Sequence, residues 1–277
     1  LSSKFRLPSE IPAEEYPPPE TFINEALSCV REASDKGIIL RIMGGMGICL
    51  HSEECKQLWE NLSRLGEKVF TDIDFASYGK FRSKIFEFFR NRGYDVDKKL
   101  HMLYGLKRHI YFGGTVPMVE VFFDKLEMNH AINFNKRLEA DSPTLPLSEL
   151  LLQKLQIVRI NEKDIKDAIV LLRAHDVGTT DKDTINLEAV AQAGLTSDWG
   201  FYYTVTTNLQ KIKEFANKCD VLDEKDRKII CERIDKISNF IEEKPKSLSW
   251  KLRAKVGTKK KWYNDVEDWI FFRSESQ

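Results

Sequence analysis

The string Thr71-Asp72-Ile73-Asp74-Phe75 constrains this chain more than any other. On a strand, residues i and i+2 face the same way, about 7 Å apart. Asp72 and Asp74 would then project together, while Thr71, Ile73 and Phe75 turn into packing. Two neighbouring carboxylates on an apolar strand repel each other and resist desolvation. A hard divalent cation, magnesium or manganese, shared with substrate phosphates, relieves both. Exposed strand acids are the plain alternative for the same string.

A third acid stands on a second predicted strand, Met118-Val119-Glu120-Val121-Phe122-Phe123-Asp124, with Glu120 in the middle and Asp124 on the same face at its end. Acids converging from neighbouring strands suit two metals that align a hydroxyl with a phosphorus and stabilise departing pyrophosphate. Asp72, Asp74 and Glu120 are therefore the expected catalytic residues and metal ligands. Gly44-Gly45 follows the apolar run Ile38–Met43, and without Cβ atoms a triphosphate can approach the backbone N–H groups there. A nucleotide and Mg²⁺ or Mn²⁺ are the expected ligands, with the NTP as substrate.

The rest of the chain reads as two halves. Five of the nine prolines fall in the first twenty residues, which predicts an extended arm over 1–20 that lies outside the core. Helices are expected over 21–35, 52–65 (closed by Gly66) and 79–92, with strands over 38–43, 69–76, 100–104, 108–112 and 117–123. Pro143 and Pro146 punctuate the chain, and helices are expected beyond them at 147–160, 162–175, 186–193, 200–218, 224–242 and 247–256. The expected class is α+β, a mixed-sheet core over 21–145 followed by an all-helical domain over 146–277.

Composition narrows the function classes. Lys plus Arg and Asp plus Glu balance at 43 each, which excludes a surface that is basic all over. No apolar run approaches the roughly 20 residues of a membrane span, and no signal-peptide pattern opens the chain. The five scattered cysteines then suit reduced thiols and a cytoplasmic protein without membrane contact. Cys49, His51 and Cys55 lack the paired spacing of a zinc site, so small buried thiols are the preferred reading.

Strand, Gly44-Gly45, helix, Asp72-Ile73-Asp74, then Val119-Glu120-Val121 resembles the nucleotidyltransferase superfamily whose founder fold is that of DNA polymerase β. Leu145–Leu155 followed by Glu162–Asp167 resembles its AbiEii/MenT-type branch, in which a helix with a Lys-Leu pair precedes an Asp-x-x-Asp helix. The matched motifs run over 38–175. The resemblance implies transfer of a nucleoside monophosphate from an NTP to an acceptor hydroxyl, with RNA, protein or a small molecule as acceptor. Met46 follows Gly45 where active members usually carry Ser or Thr, and the gap from Gly45 to Asp72 is longer than in minimal members. A catalytically degenerate binding protein is therefore the alternative, as half of a toxin–antitoxin pair with a partner protein from an adjacent gene.

Lys154 lies within the apolar stripe Leu147, Leu150, Leu151, Leu155, Val158 and needs a partner for its charge. Asp164 and Asp167 share one face of the next helix. A Lys154–Asp167 pair pinning two helices is one reading. Strengthened by the resemblance, the other sets Lys154 on nucleotide phosphates, oriented by Asp164 or Asp167, so that Gly44, Gly45, Lys154, Asp164 and Asp167 bind nucleotide. His51 and His130 read as satisfied core histidines. The stretch Lys244–Asn264 has no acidic residue and interleaves lysines with Trp250, Trp262 and Tyr263. An RNA surface is one reading; a final helix burying Trp250 and Leu252 is preferred.

Overall fold

The computed structural model describes residues 5–62 and 69–266. Helix α1 (Pro19–Asp35) starts at a proline, whose missing N–H costs nothing in a first turn. It buries Phe22, Ala26, Cys29, Val30 and Ala33, the stripe a 3.6-residue period demands. Strand β1 (Leu40–Ile42) follows and runs directly into α2 (Gly44–His51). The glycine pair therefore opens a helix and does not form a free turn. A 3-10 turn at Glu53–Cys55 leads into α3 (Lys56–Asn61). The expected helix end at Leu65 and Gly66 lies outside the described residues.

Strand β2 (Ile73–Ser77) starts later than predicted, so Asp72 sits just ahead of it. Helix α4 (Arg82–Asn91) buries Ile85, Phe88 and Phe89, with Phe89 stacked on Tyr111 at 4.6 Å. After the short β3 (Asp95–Val96), the predicted strand over 100–104 is instead helix α5 (Lys98–Tyr104). Two features explain this. Asp97 caps the helix by accepting the N–H groups of Lys99 and Leu100 at 2.9 and 3.0 Å. Leu100 and Tyr104 are the buried positions, an i, i+4 spacing that belongs to a helix.

Strands β4 (Arg108–Phe112) and β5 (Met118–Phe123) complete a five-stranded sheet of order β1-β2-β5-β4-β3. The sheet is mixed: β2 and β5 run parallel and the other pairs antiparallel. All six residues of β5 are buried, as expected of a central strand. The hairpin β6 (Lys125–Glu127) and β7 (Ala131–Asn133) leads toward the helical region. The N-terminal arm is less detached than predicted. Leu7 is buried with Leu100, Tyr104, Ile110, Phe112 and Met118 against one face of the sheet, and Tyr16 donates its hydroxyl to the carbonyls of Phe70 and Thr71.

Every residue of α6 (Leu147–Leu155) is buried, which makes it the central helix of the second half. Each fully buried leucine there contributes roughly 1.5–3 kcal/mol. Gly47 lets α2 lie close: a Cβ there would stand 2.8 Å from Leu150 Cδ2. Around α6 pack α7 (Glu162–Ala174), the one-turn α8 (Leu187–Val190) and α9 (Trp199–Lys218), and α10 (Glu224–Glu243) packs on these three. A small parallel pair, β8 (Asp176–Gly178) and β9 (Thr184–Asn186), is inserted between α7 and α8. The chain is thus α+β, a mixed sheet followed by a helical region, and one cluster of buried side chains runs from Phe22 to Ile241 through both. Helix α11 (Leu248–Val256) is the last α-helix among the described residues and has no buried residue. Leu252 is 56% exposed, contrary to the predicted burial. Among the described residues, no helix is long and apolar enough to cross a membrane.

Candidate active site

Parallel pairing of β2 with β5 sets Asp74 directly beside Glu120. Their neighbours Ile73, Phe75, Val119 and Val121 are fully buried on the opposite face, so alternation turns both carboxylates to the same side. Asp72 approaches from the segment ahead of β2 and accepts from the Thr71 hydroxyl at 3.1 Å. The three acids share a cavity of about 590 Å³ between the sheet and the start of the helical region, walled also by Gly44, Arg108, Gln153, Lys154 and Asp164.

Charge is concentrated here. Asp74 sits on the cavity floor, ringed by protein, and only part of its surface meets the opening. Burial, then the charges of Asp72 and Glu120, push its carboxyl well above the usual range, while Lys154 and Lys163 pull the other way. The Tyr16 hydroxyl is pushed up to about 12 by burial and by Asp72. In both, burial is the larger cause and the neighbouring carboxylates add to it, a repulsion that a bound cation would offset.

Glu120 is held differently. Arg108 Nη1 donates to its Oε2 at 3.2 Å, and both side chains are about nine-tenths buried. The Arg108 guanidinium lies over the rings of Tyr104 and Phe122 at 5.0 and 5.8 Å. Sequence reading missed this arginine. Its relevance depends on the register of β4 against β5, which a single strand pattern does not reveal.

Local backbone explains the glycine beside the acids. Gly44 has φ +66°, and a Cβ on it would stand 2.9 Å from Asp74 Oδ2. Its N–H donates to Gln153 Oε1 at 2.9 Å. Gly45 and Met46 follow in the first turn of α2, where backbone N–H groups lack intrahelical partners. A smaller recess of about 70 Å³ brings Gly44, Gly45 and Met46 together with Asp72, Asp74, Lys154 and Lys163. Lys163 is a second residue that sequence reading passed over, although it stands in the Glu162-Lys163-Asp164 string.

Lys154 Nζ lies 2.9 Å from both Asp164 Oδ1 and Asp167 Oδ2, so α6 and α7 are clasped by one ammonium and two carboxylates. Lys154 and Asp164 line the large cavity, whereas Asp167 is fully buried behind them. The predicted residues Gly44, Asp72, Asp74, Glu120, Lys154 and Asp164 thus converge on one cavity. Gly45 meets Asp72 and Asp74 in the smaller recess.

Other candidates lie elsewhere. His51 Nε2 is 2.5 Å from Thr144 Oγ1 and 3.2 Å from Asp141, a tie to the segment beside β1. His130 bonds Thr204 at 2.9 Å, stacks on Phe201, and is pushed down to about 4 by burial. Asp124 accepts from Gly79 N at 2.8 Å and pairs with Arg82. In the basic stretch, Lys244 pairs with Glu188 and Lys246 donates to carbonyls at the end of α10. Trp262 donates to Thr204 Oγ1 at 3.1 Å and meets Tyr203 edge-on. Beyond it, Asn264 and Asn129 exchange two hydrogen bonds, of 3.0 and 2.9 Å. Val266 then lines both the acid cavity and a neighbouring one of about 420 Å³.

Among the described residues, no set of three or more His, Cys, Asp or Glu side chains converges closely enough to hold an ion unaided. That covers Cys49, His51 and Cys55 as well as the three acids. Asp72 and Asp74 still fit a divalent ion by the chemistry of their donors, provided substrate phosphates supply the other oxygens.

No protein-family model matches the chain, and no curated protein does. Among solved structures it is similar to the antibiotic-resistance factor ANT(2'')-Ia, described as showing substrate-regulated conformation dynamics. The TM-score is 0.36 and the identity 13%, over 72% of this chain and 97% of that one. A likeness so distant carries no argument, and the reading of the site rests on its own geometry.

Proposed function

We propose that the chain is a divalent-metal-dependent nucleotidyltransferase that moves a nucleoside monophosphate from an NTP to an acceptor hydroxyl. The observation that carries this reading is the register pairing of Asp74 with Glu120 beside Asp72 on the wall of one cavity, where the neighbouring carboxylates add to the upward shift of Asp74. Asp72 and Asp74 would hold Mg²⁺ or Mn²⁺, which when bound offsets phosphate charge and polarises the α-phosphorus. The backbone N–H of Gly45 at the start of α2 would donate to a phosphate oxygen, while Gly44, its N–H held by Gln153, leaves room for the phosphate because it has no Cβ. Lys154, aimed by Asp164 and Asp167, supplies a counter-charge. The acceptor oxygen bonds to the α-phosphorus, the bond to the bridging oxygen breaks, and pyrophosphate leaves. Glu120 takes the hydroxyl proton, or ligates a second metal.

One observation favours a second reading. Arg108 already engages Glu120 and two carboxylates already engage Lys154. A site so internally neutralised suits a protein that binds nucleotide without turnover, such as an AbiEii-like regulatory member working with a partner protein.

Thermal unfolding with each NTP, with and without Mg²⁺, tests both readings. Ligand at about 100 times its dissociation constant adds about 2.7 kcal/mol, a shift of several degrees at this size. The expected result is a metal-dependent shift that Asp74→Asn abolishes, together with pyrophosphate release once an acceptor is supplied. A shift without turnover favours the binding reading. No shift with any NTP overturns nucleotide binding at this site.

A further inference from the structure

We propose that Gln153 is a substrate-positioning residue whose side-chain N–H is kept for a phosphate oxygen of the bound nucleotide. The inference rests on the nucleotidyltransferase reading of this cavity and adds a residue to it. Gln153 is 5% exposed and lines the acid cavity. Its Oε1 accepts the Gly44 N–H at 2.9 Å, which fixes the amide orientation, because a flipped amide would set N–H against N–H. Nε2 is then left buried without a hydrogen-bond partner.

Its helix makes that vacancy unusual. Ser148 Oγ bonds the backbone of Asn186, Glu149 takes two bonds from Arg137, and Lys154 is clasped by Asp164 and Asp167. Each of these polar side chains on α6 has its partner. Several other buried side-chain atoms among the described residues also lack one, but Gln153 alone among them lines the cavity that holds Asp74. A buried donor left unmade is costly, and such groups persist where a ligand completes them. An amide NH₂ only donates, so its complement is an acceptor oxygen. Beside the glycine pair and Lys154, that oxygen belongs to a phosphate. The same amide braces Gly44, so a phosphate on Nε2 polarises the group and tightens the bond from Oε1 to the Gly44 N–H.

Two substitutions separate the donor from the brace. Gln153→Glu keeps an oxygen for Gly44, removes the donor and adds a charge. Gln153→Met removes both donor and acceptor and adds none. Equilibrium titration compares ATP, CTP, GTP and UTP with Mg²⁺ against the four parent nucleosides. The expected result is that the preferred NTP loses about 10- to 100-fold in affinity in both variants, while its nucleoside binds as to wild type. A deficit only in Gln153→Glu is charge repulsion, and one only in Gln153→Met is loss of the Gly44 brace. Either of these, or no deficit, overturns the donor role while the nucleotide reading stands. A wild type that binds no NTP overturns both. Should Gln153→Met not fold, titrating Gln153→Glu at about 0.1 M and about 1 M salt decides: a persistent deficit is the lost donor, and one that salt removes overturns it.

Discussion

Asp74 pays for its position in free energy, because its carboxylate is half-buried and faces two like charges. A raised carboxyl value means that the folded state holds the proton more tightly than the unfolded chain. The resulting stabilisation is complete below the ordinary carboxyl range, near pH 4, and is lost as pH rises through the folded value. Without divalent ion, Asp74→Asn should therefore be more stable than wild type, by a margin that grows as pH rises above about 4. Urea unfolding at a series of pH values measures the margin, and a difference that stays flat with pH would remove the electrostatic account of the site. Most of the acids were legible from sequence, since alternation alone sets Asp74 and Glu120 on apolar strands. Their partners were not. Arg108 becomes relevant only through strand register, and Gln153 sits in a leucine-rich run that reads as plain core.

At the scale of elements, the contact between α6 and α7 is a clasp around one cation. Lys154, Asp164 and Asp167 are all buried, and Asp167 completely so. Lys154→Met should cost about 3–5 kcal/mol, because two carboxylates would then face each other without compensation. Denaturant unfolding reads that loss, and restoring part of it with Asp167→Asn in the same chain would trace it to the stranded charge. This clasp was readable in advance, since a lysine in an apolar stripe demands an acid nearby. Helix α5 was not. Leu100–Tyr104 looks like a strand when apolar content is weighed and the Asp97 cap is overlooked. The three-residue strands β8 and β9 are too short for any period to announce them.

Taken whole, the molecule assembles its cavity from distant parts of the chain. Asp74 and Glu120 meet through a parallel pair, Lys154 and Asp164 come from the helical region, and Val266 arrives from the far end. That last segment is fastened by Trp262 on Thr204 and Tyr203 and by the paired bonds of Asn264 with Asn129. Gly200 permits the approach, because a Cβ there would strike the Trp262 carbonyl. Trp262→Ala should lower stability by about 1–3 kcal/mol for a half-buried aromatic. It should also speed amide exchange at Asn264, whose N–H donates to Asn129. Hydrogen exchange followed residue by residue checks this, and unchanged protection at Asn264 would show that the segment is held by other contacts.

Because Val266 forms part of the wall of two cavities, a single substitution there reshapes both at once. A cut between α11 and Val266 would remodel the cavity that holds Asp72, Asp74 and Glu120 as directly as a substitution within it.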